Sequence, residues 1–78
     1  MDRNDYDGAE LALKRAIEIF PDYADAHSNL GIVYATRGLY ATARLELRKA
    51  VEIDPEFDSA RQNLMEVEMS IGRLTKPQ

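Results

Sequence analysis

A period of 34 residues constrains the fold of this chain more than any other feature of its sequence. Residues 16–31 and residues 50–65 align without a gap. The identical positions are Ala16, Glu18, Ile19, Pro21, Ala26, Asn29 and Leu30, which recur as Ala50, Glu52, Ile53, Pro55, Ala60, Asn63 and Leu64. A fixed period of this size indicates an array of repeated units, in which each unit completes its core against its neighbours.

Composition indicates one small folded domain. The chain has 78 residues, of which 45% are hydrophobic and 31% charged, and this balance is typical of folded proteins. Without cysteine, neither a disulfide nor a thiolate metal site can stabilise it. The longest strongly apolar run, residues 32–35, is far too short to cross a bilayer, and the acidic start does not resemble a signal peptide. We therefore expect a soluble, cytoplasmic protein.

The net charge of −4 argues against nucleic acid and anionic membranes as partners, because both need a basic surface. The basic residues Arg44, Arg48 and Lys49 are interleaved with Glu46 and Glu52. This mixture is more typical of a solvated helix face than of a patch that binds phosphate.

Apolar residues recur at steps of three or four positions, the spacing of one face of an α-helix. Leu13, Ile17 and Phe20 illustrate the first such stripe. Pro21 and Pro55 cannot continue a helix, whereas Gly38 suits a left-handed helix end. The sequence thus predicts an all-α fold with about four helices, near residues 5–20, 23–37, 40–53 and 57–72, and a polar tail at 73–78. Short connections place consecutive helices antiparallel.

The middle period resembles the tetratricopeptide repeat (TPR) family, whose signature combines Leu-Gly, Tyr, Ala and Pro at set spacings. The matching residues are His27, Leu30, Gly31, Tyr34, Gly38, Tyr40, Ala43, Leu47, Ala50 and Pro55. His27 stands where Trp is common, and Leu47 where an aromatic residue is common. The resemblance covers residues 1–74 and implies an antiparallel helical hairpin array of the α-solenoid type.

The resemblance also divides the chain into parts of an array. Residues 5–20 would be the second helix of one repeat, residues 24–57 a full repeat, and residues 58–72 a terminal capping helix. The last helix departs from the pattern, because Met65 replaces the small Gly31 and Glu68 replaces Tyr34. A helix that followed would clash with Met65 and bury Glu68.

The first helix keeps the small and apolar residues Ala9, Leu13 and Ala16, which would receive a preceding helix that the chain does not contain. Two interpretations stay open. The chain is the C-terminal fragment of a longer TPR array, or this face is covered by another copy of the chain.

The residues offer little for catalysis. There is one histidine and no cysteine, so a nucleophilic site could use only His27, which occupies a packing position of the repeat. A single histidine with scattered carboxylates does not make a metal site. The segment at residues 2–8 superficially resembles a calcium loop, but its register would place Arg3 and Lys14 at ligand positions. We predict no enzymatic activity, no metal and no cofactor.

With catalysis disfavoured, the function class that remains is binding to a partner through a surface of the chain. In the resembled family, the first helices of successive repeats line a concave groove that holds a peptide or helix of a partner. The positions that correspond to this groove are Asp25, Ser28, Asn29, Ile32 and Thr36, then Ser59, Gln62, Asn63, Glu66 and Met69. One subtype clamps acidic chaperone tails with Lys and Arg at such places, and this chain lacks them. With Asp25 and Glu66 present, the groove favours a neutral or basic segment.

The sequence therefore predicts a non-enzymatic protein-interaction module that uses this groove. The alternative is a homo-oligomerisation or scaffold element that pairs through the exposed face of the first helix.

Overall fold

A computed structural model describes residues 3–75, which form four α-helices joined by short turns. The helices are α1 (Arg3–Ile19), α2 (Ala24–Thr36), α3 (Tyr40–Ile53) and α4 (Asp58–Thr75). The described residues contain no strand. The predicted all-α fold with four helices is confirmed.

The helix boundaries agree with the sequence at α3 and differ at the two ends of the chain. Helix α1 begins at Arg3, two residues earlier than predicted, and α4 continues to Thr75, three residues beyond the predicted end. The polar tail predicted at 73–78 is therefore helical through residue 75, and residues 76–78 lie outside the described part. Polar residues such as Arg73 continue a helix readily, since a solvated last turn needs no apolar face and gains from a basic residue.

The turn between α2 and α3 is a Schellman motif. Gly38 has φ 82°, the left-handed conformation that glycine adopts without steric cost. Its N–H donates to the carbonyl of Ala35 at 3.0 Å, and the N–H of Leu39 donates to the carbonyl of Tyr34 at 2.9 Å. The prediction of a left-handed helix end at Gly38 is confirmed.

The turn between α3 and α4 depends on Pro55. The preceding residue, Asp54, is extended at φ −133° and ψ 91°, which a residue before proline favours and a helix does not allow. The Asp54 carboxylate then accepts from the N–H of Glu56 at 3.2 Å, a local bond typical of tight turns.

Helix α2 lies at the centre of the fold, packed against α1 on one side and most extensively against α3 on the other. Helix α4 packs on α3 and touches α2. The buried core cluster joins Leu30 and Tyr34 of α2 to Ala43 and Leu47 of α3 and to Val67 of α4. Because consecutive helices are antiparallel, α2 and α4 run in the same direction side by side.

Helix α3 approaches α2 closely at Gly31. A Cβ placed on Gly31 would lie 2.7 Å from Leu47 Cγ and 3.2 Å from the Ala43 carbonyl oxygen. Separations this short require a shift of the α3 backbone or of a fully buried leucine. This geometry explains why a residue without a side chain stands at position 31.

Gly31→Ala tests this close approach. We expect it to lower the free energy of unfolding by about 1–3 kcal/mol, the usual effect of overpacking a core. The matched control is Gly8→Ala, because Gly8 also lies in a helix but has no atom within 4 Å of its Cβ position. This control should raise stability by up to about 1 kcal/mol through helix propensity. Urea unfolding of both variants measures the difference, and a Gly31→Ala variant as stable as Gly8→Ala would contradict the packing.

Candidate functional site

A small cavity of about 250 Å³ lies between α2 and α4, above α3. Its lining residues are Ile32, Ala35 and Thr36 of α2, Tyr40 and Leu47 of α3, and Asn63, Glu66, Val67 and Ser70 of α4. Leu47, which belongs to the buried core, is part of its apolar floor. Helices α2 and α4 are the two helices that the sequence assigns to the groove.

The structure brings four of the predicted groove residues together at this cavity, namely Ile32, Thr36, Asn63 and Glu66. Asp25, Asn29, Ser59 and Met69 are exposed on the same two helices but do not line it. Sequence reasoning missed Ala35, Tyr40, Leu47, Val67 and Ser70. Helical spacing could have indicated Val67 and Ser70, which lie four positions after Asn63 and Glu66.

Two predicted groove residues lie elsewhere. Ser28 is only 2% exposed, so it offers almost no surface to a ligand. Gln62, at the same position of the next period, lines a separate depression together with Met65 and Glu68. The side chains at this position of the repeat, Ser28 and Gln62, are therefore directed away from the α2–α4 cavity.

The Thr36 and Ser70 hydroxyls beside the cavity already use their protons. Thr36 Oγ1 donates to the Ile32 carbonyl at 2.8 Å, and Ser70 Oγ donates to the Glu66 carbonyl at 3.1 Å. Ser70 Oγ also accepts from the Arg73 guanidinium at 3.4 Å. Within residues 3–75, the carboxylate of Glu66 and the side-chain amide of Asn63 have no side-chain partner at hydrogen-bond distance. These two groups are available to a ligand.

The face of α1 formed by Ala9, Leu13 and Ala16 is partly covered. All three residues are half-buried, and Leu13 packs against the core cluster. Their counterparts one period later, Ala43, Leu47 and Ala50, are each 0% exposed, because α2 and α4 both cover α3. Among the helices of residues 3–75, only α2 covers Ala9, Leu13 and Ala16 on α1. The surface that the α1 residues expose and their α3 counterparts do not is the surface that one further helix would cover.

The outer face of α4 is composed differently from the face of α2 that receives α3. Val51 and Leu64 form an apolar base for a depression that is rimmed by Asp58, Arg61, Gln62, Met65 and Glu68. The rim residues stand where the preceding period has Ala24, His27, Ser28, Gly31 and Tyr34. Met65 is 59% exposed and stands one period after Gly31, the residue that α3 approaches closely.

His27 is buried and joins three parts of the fold. Its Nδ1 lies 2.9 Å from Oε1 of Glu46 on α3, and its Nε2 lies 2.9 Å from the carbonyl oxygen of Pro21 in the turn before α2. Both ring nitrogens are therefore engaged by the fold. This geometry supports the structural role that the sequence predicts for His27.

Glu10 is the centre of an ionic network between α1 and α2. Its carboxylate contacts Lys14 at 3.0 Å and accepts from Arg37 at 2.9 Å and from the Tyr34 hydroxyl at 3.3 Å. The hydrogen bond from Lys14 is the main cause that lowers the pKa of Glu10, and it also raises the pKa of Lys14. Burial, followed by the negative charge of Glu10, raises the pKa of Tyr34. The network fixes α1 against α2.

Residues 3–75 contain no cluster of three or more His, Cys, Asp or Glu side chains that could hold a metal ion. None of their helices combines the length and the apolar character needed to span a bilayer.

The family assignment rests on the fold and on the sequence together. The chain matches the tetratricopeptide repeat family over residues 1–56, which include α1, α2 and α3. It therefore belongs to this family, and the predicted resemblance is confirmed. No curated protein matches the sequence.

The lowered pKa of Glu10 predicts a pH dependence in the acidic range. Because the folded-state pKa lies below the unfolded value, the contribution of Glu10 is complete above the unfolded pKa and is lost as pH falls through the folded pKa. We expect Glu10→Gln to reduce the fall in melting temperature between neutral and acidic pH. Glu18→Gln, an exposed change on the same helix, is the control and should keep the wild-type profile. Thermal melts followed by circular dichroism measure this, and identical profiles for both variants would contradict the role of Glu10.

Proposed function

We propose that the chain is a non-enzymatic protein-interaction module that binds a peptide or helical segment of a partner between α2 and α4. Tetratricopeptide repeats generally mediate interactions between proteins, and this chain belongs to that family. The observation that carries the proposal is the α2–α4 cavity, where an apolar floor lies beside two polar groups that have no side-chain partner within residues 3–75. A small apolar anchor site with a few polar groups is typical of peptide recognition.

The charge of this surface supports a neutral or basic segment as the partner. Asp25 lies in the first turn of α2, and Glu66 lines the cavity. The whole chain carries a net charge of −4. An acidic segment would meet charges of the same sign, which disfavours association.

We propose further that residues 24–57 are one full repeat and that α4 caps the array. The comparison of Gly31 with Met65 supports this arrangement. A helix could not approach α4 at Met65 as closely as α3 approaches α2 at Gly31. Repeat arrays need a terminal unit with a polar outer face, and Arg61 and Glu68 supply charges on that face of α4.

The second candidate function is homo-oligomerisation through the face of α1 formed by Ala9, Leu13 and Ala16. It is favoured by the incomplete burial of these residues beside the complete burial of their counterparts on α3. The exposed Leu11 does not support it. Leu11 is 56% exposed, and its counterpart Leu45 is 59% exposed although α3 has neighbours on both sides.

A double substitution, Ile32→Lys with Glu66→Lys, tests the groove. A peptide is first selected against the wild-type chain from a random displayed library, and its Kd is measured by calorimetry. We expect the double variant to weaken binding at least tenfold, about 1.4 kcal/mol, since it removes an apolar anchor and reverses a charge. The matched control is Leu45→Lys with Glu52→Lys, which makes the same changes on exposed positions of α3 and should leave Kd within about twofold. Equal Kd values for the double variant and the control would contradict the groove.

Sedimentation equilibrium of the 78-residue chain over a wide concentration range tests the second candidate. If α1 pairs with another copy, the wild type forms a defined oligomer that Ala12→Arg dissociates, because Ala12 is exposed between Ala9 and Ala16. Ala41→Arg, an exposed change at the start of α3, is the control and should leave the oligomer intact. A monomer at every concentration would exclude self-assembly by this face.

A further inference from the structure

The α2–α4 cavity is smaller than a pocket for a drug-sized ligand. Its volume is about 250 Å³, whereas such pockets usually measure about 300–1,000 Å³. A bound helix would need several anchor sites along one groove, at spacings of three and four residues. A cavity of this size accommodates a single side chain, which an extended segment can insert.

The floor and wall of the cavity determine which side chain can enter. Ile32 and Ala35 of α2 supply accessible aliphatic carbon, and Tyr40 of α3 supplies accessible surface on the floor. Val67 and Leu47 complete the lining but are 5% and 0% exposed, so they add little surface. An aliphatic or aromatic side chain gains free energy by leaving water for such a surface. A charged side chain would lose its hydration there without a partner on the floor.

The polar rim accepts more hydrogen bonds than it donates. The hydroxyl protons of Thr36 and Ser70 are used within their own helices. The rim therefore offers hydroxyl lone pairs, the amide of Asn63 and the negative carboxylate of Glu66, which has no side-chain partner in residues 3–75. A ligand group that only donates hydrogen bonds and carries positive charge satisfies this rim, and Lys and Arg are such groups.

From this combination we infer that the cavity selects an extended partner segment in which an apolar side chain enters the cavity and a neighbouring Lys or Arg pairs with Glu66. The inference rests on the proposed function, because it assigns the partner chemistry of the same groove. Among the described residues 3–75, Arg73 is the one basic residue that contacts the rim, through Ser70 Oγ. It lies beyond Ser70 on α4 and makes no ion pair with Glu66 within 4 Å. Glu66 is thus free to bind a cation.

The experiment uses four fluorescein-labelled decapeptides of Gly and Ser that differ only at two central positions: Leu-Lys, Leu-Glu, Leu-Gln and Gly-Lys. Affinities are measured by fluorescence anisotropy with the full chain at low salt, where an exposed ion pair is least screened. Binding is located by the amide shifts of Ile32 and Asn63 in NMR spectra. We expect Leu-Lys to bind at least about fivefold more tightly than Leu-Glu, the range of a good exposed ion pair.

Glu66→Gln identifies the residue that selects the cation. It is an isosteric change at an exposed position, so it leaves the fold intact. We expect it to reduce the preference for Leu-Lys over Leu-Gln to less than about twofold and to leave the preference for Leu-Lys over Gly-Lys unchanged. Arg73→Gln is the matched control and should leave the cation preference in place.

The outcomes separate this inference from the proposed function. If the peptides shift Ile32 and Asn63 but Leu-Glu binds as tightly as Leu-Lys, the groove stands and the cation selectivity is wrong. If Leu-Glu binds more tightly and Arg73→Gln abolishes this preference, Arg73 selects an acidic partner and the inference is overturned. If no peptide shifts either residue at millimolar concentration, both the inference and the proposed groove are contradicted.

Discussion

The close contact between α2 and α3 at Gly31 determines the rest of this structure. Because Gly31 has no side chain, Leu47 reaches the α2 backbone and becomes completely buried. The same approach brings Glu46 to His27 and closes the face of α3 that carries Ala43 and Ala50. It also sets the depth of the α2–α4 cavity, since Leu47 is part of both the core and the cavity floor. The proposed binding surface is therefore a consequence of how closely α2 and α3 pack.

Identical residues in the two periods of this chain have different surroundings. Leu13 and Leu47 are the same residue at the same position of the repeat, yet only Leu47 is covered on both sides. Where the sequence differs between periods, the surroundings differ as well. Gly31 is covered by α3, and its counterpart Met65 faces outward. Within a repeat, position alone does not define the environment of a residue, because the neighbouring helices decide it.

The fold could be predicted from the sequence because the features that specify it are local, such as proline and glycine, or periodic, such as the apolar stripes. Proline at 55 and glycine at 38 limit the backbone directly, so the bounds of α3 are correct to the residue. The ends of α1 and α4 were misplaced, since polar residues at helix ends carry little periodic signal.

The cavity could be predicted only in part. Ile32, Thr36, Asn63 and Glu66 follow from the helical face that the repeat exposes, and all four line the cavity. Tyr40 and Leu47 could not be assigned to it from spacing, because they reach the cavity through the tertiary position of α3. Ser28 was misplaced for the same reason, since its burial depends on its neighbours and not on its own helix.

Native-state hydrogen exchange at low protein concentration tests the central claim, that α3 is fixed by close packing on both sides while α1 is covered on one side. The chain provides its own matched pairs, Ala9 with Ala43, Leu13 with Leu47, and Ala16 with Ala50. After correction for intrinsic rates, we expect stronger protection for the amide on α3 in each pair, because α1 can open without disrupting the contact at Gly31. Equal protection in all three pairs would contradict this claim and would mean that α1 is covered as completely as α3.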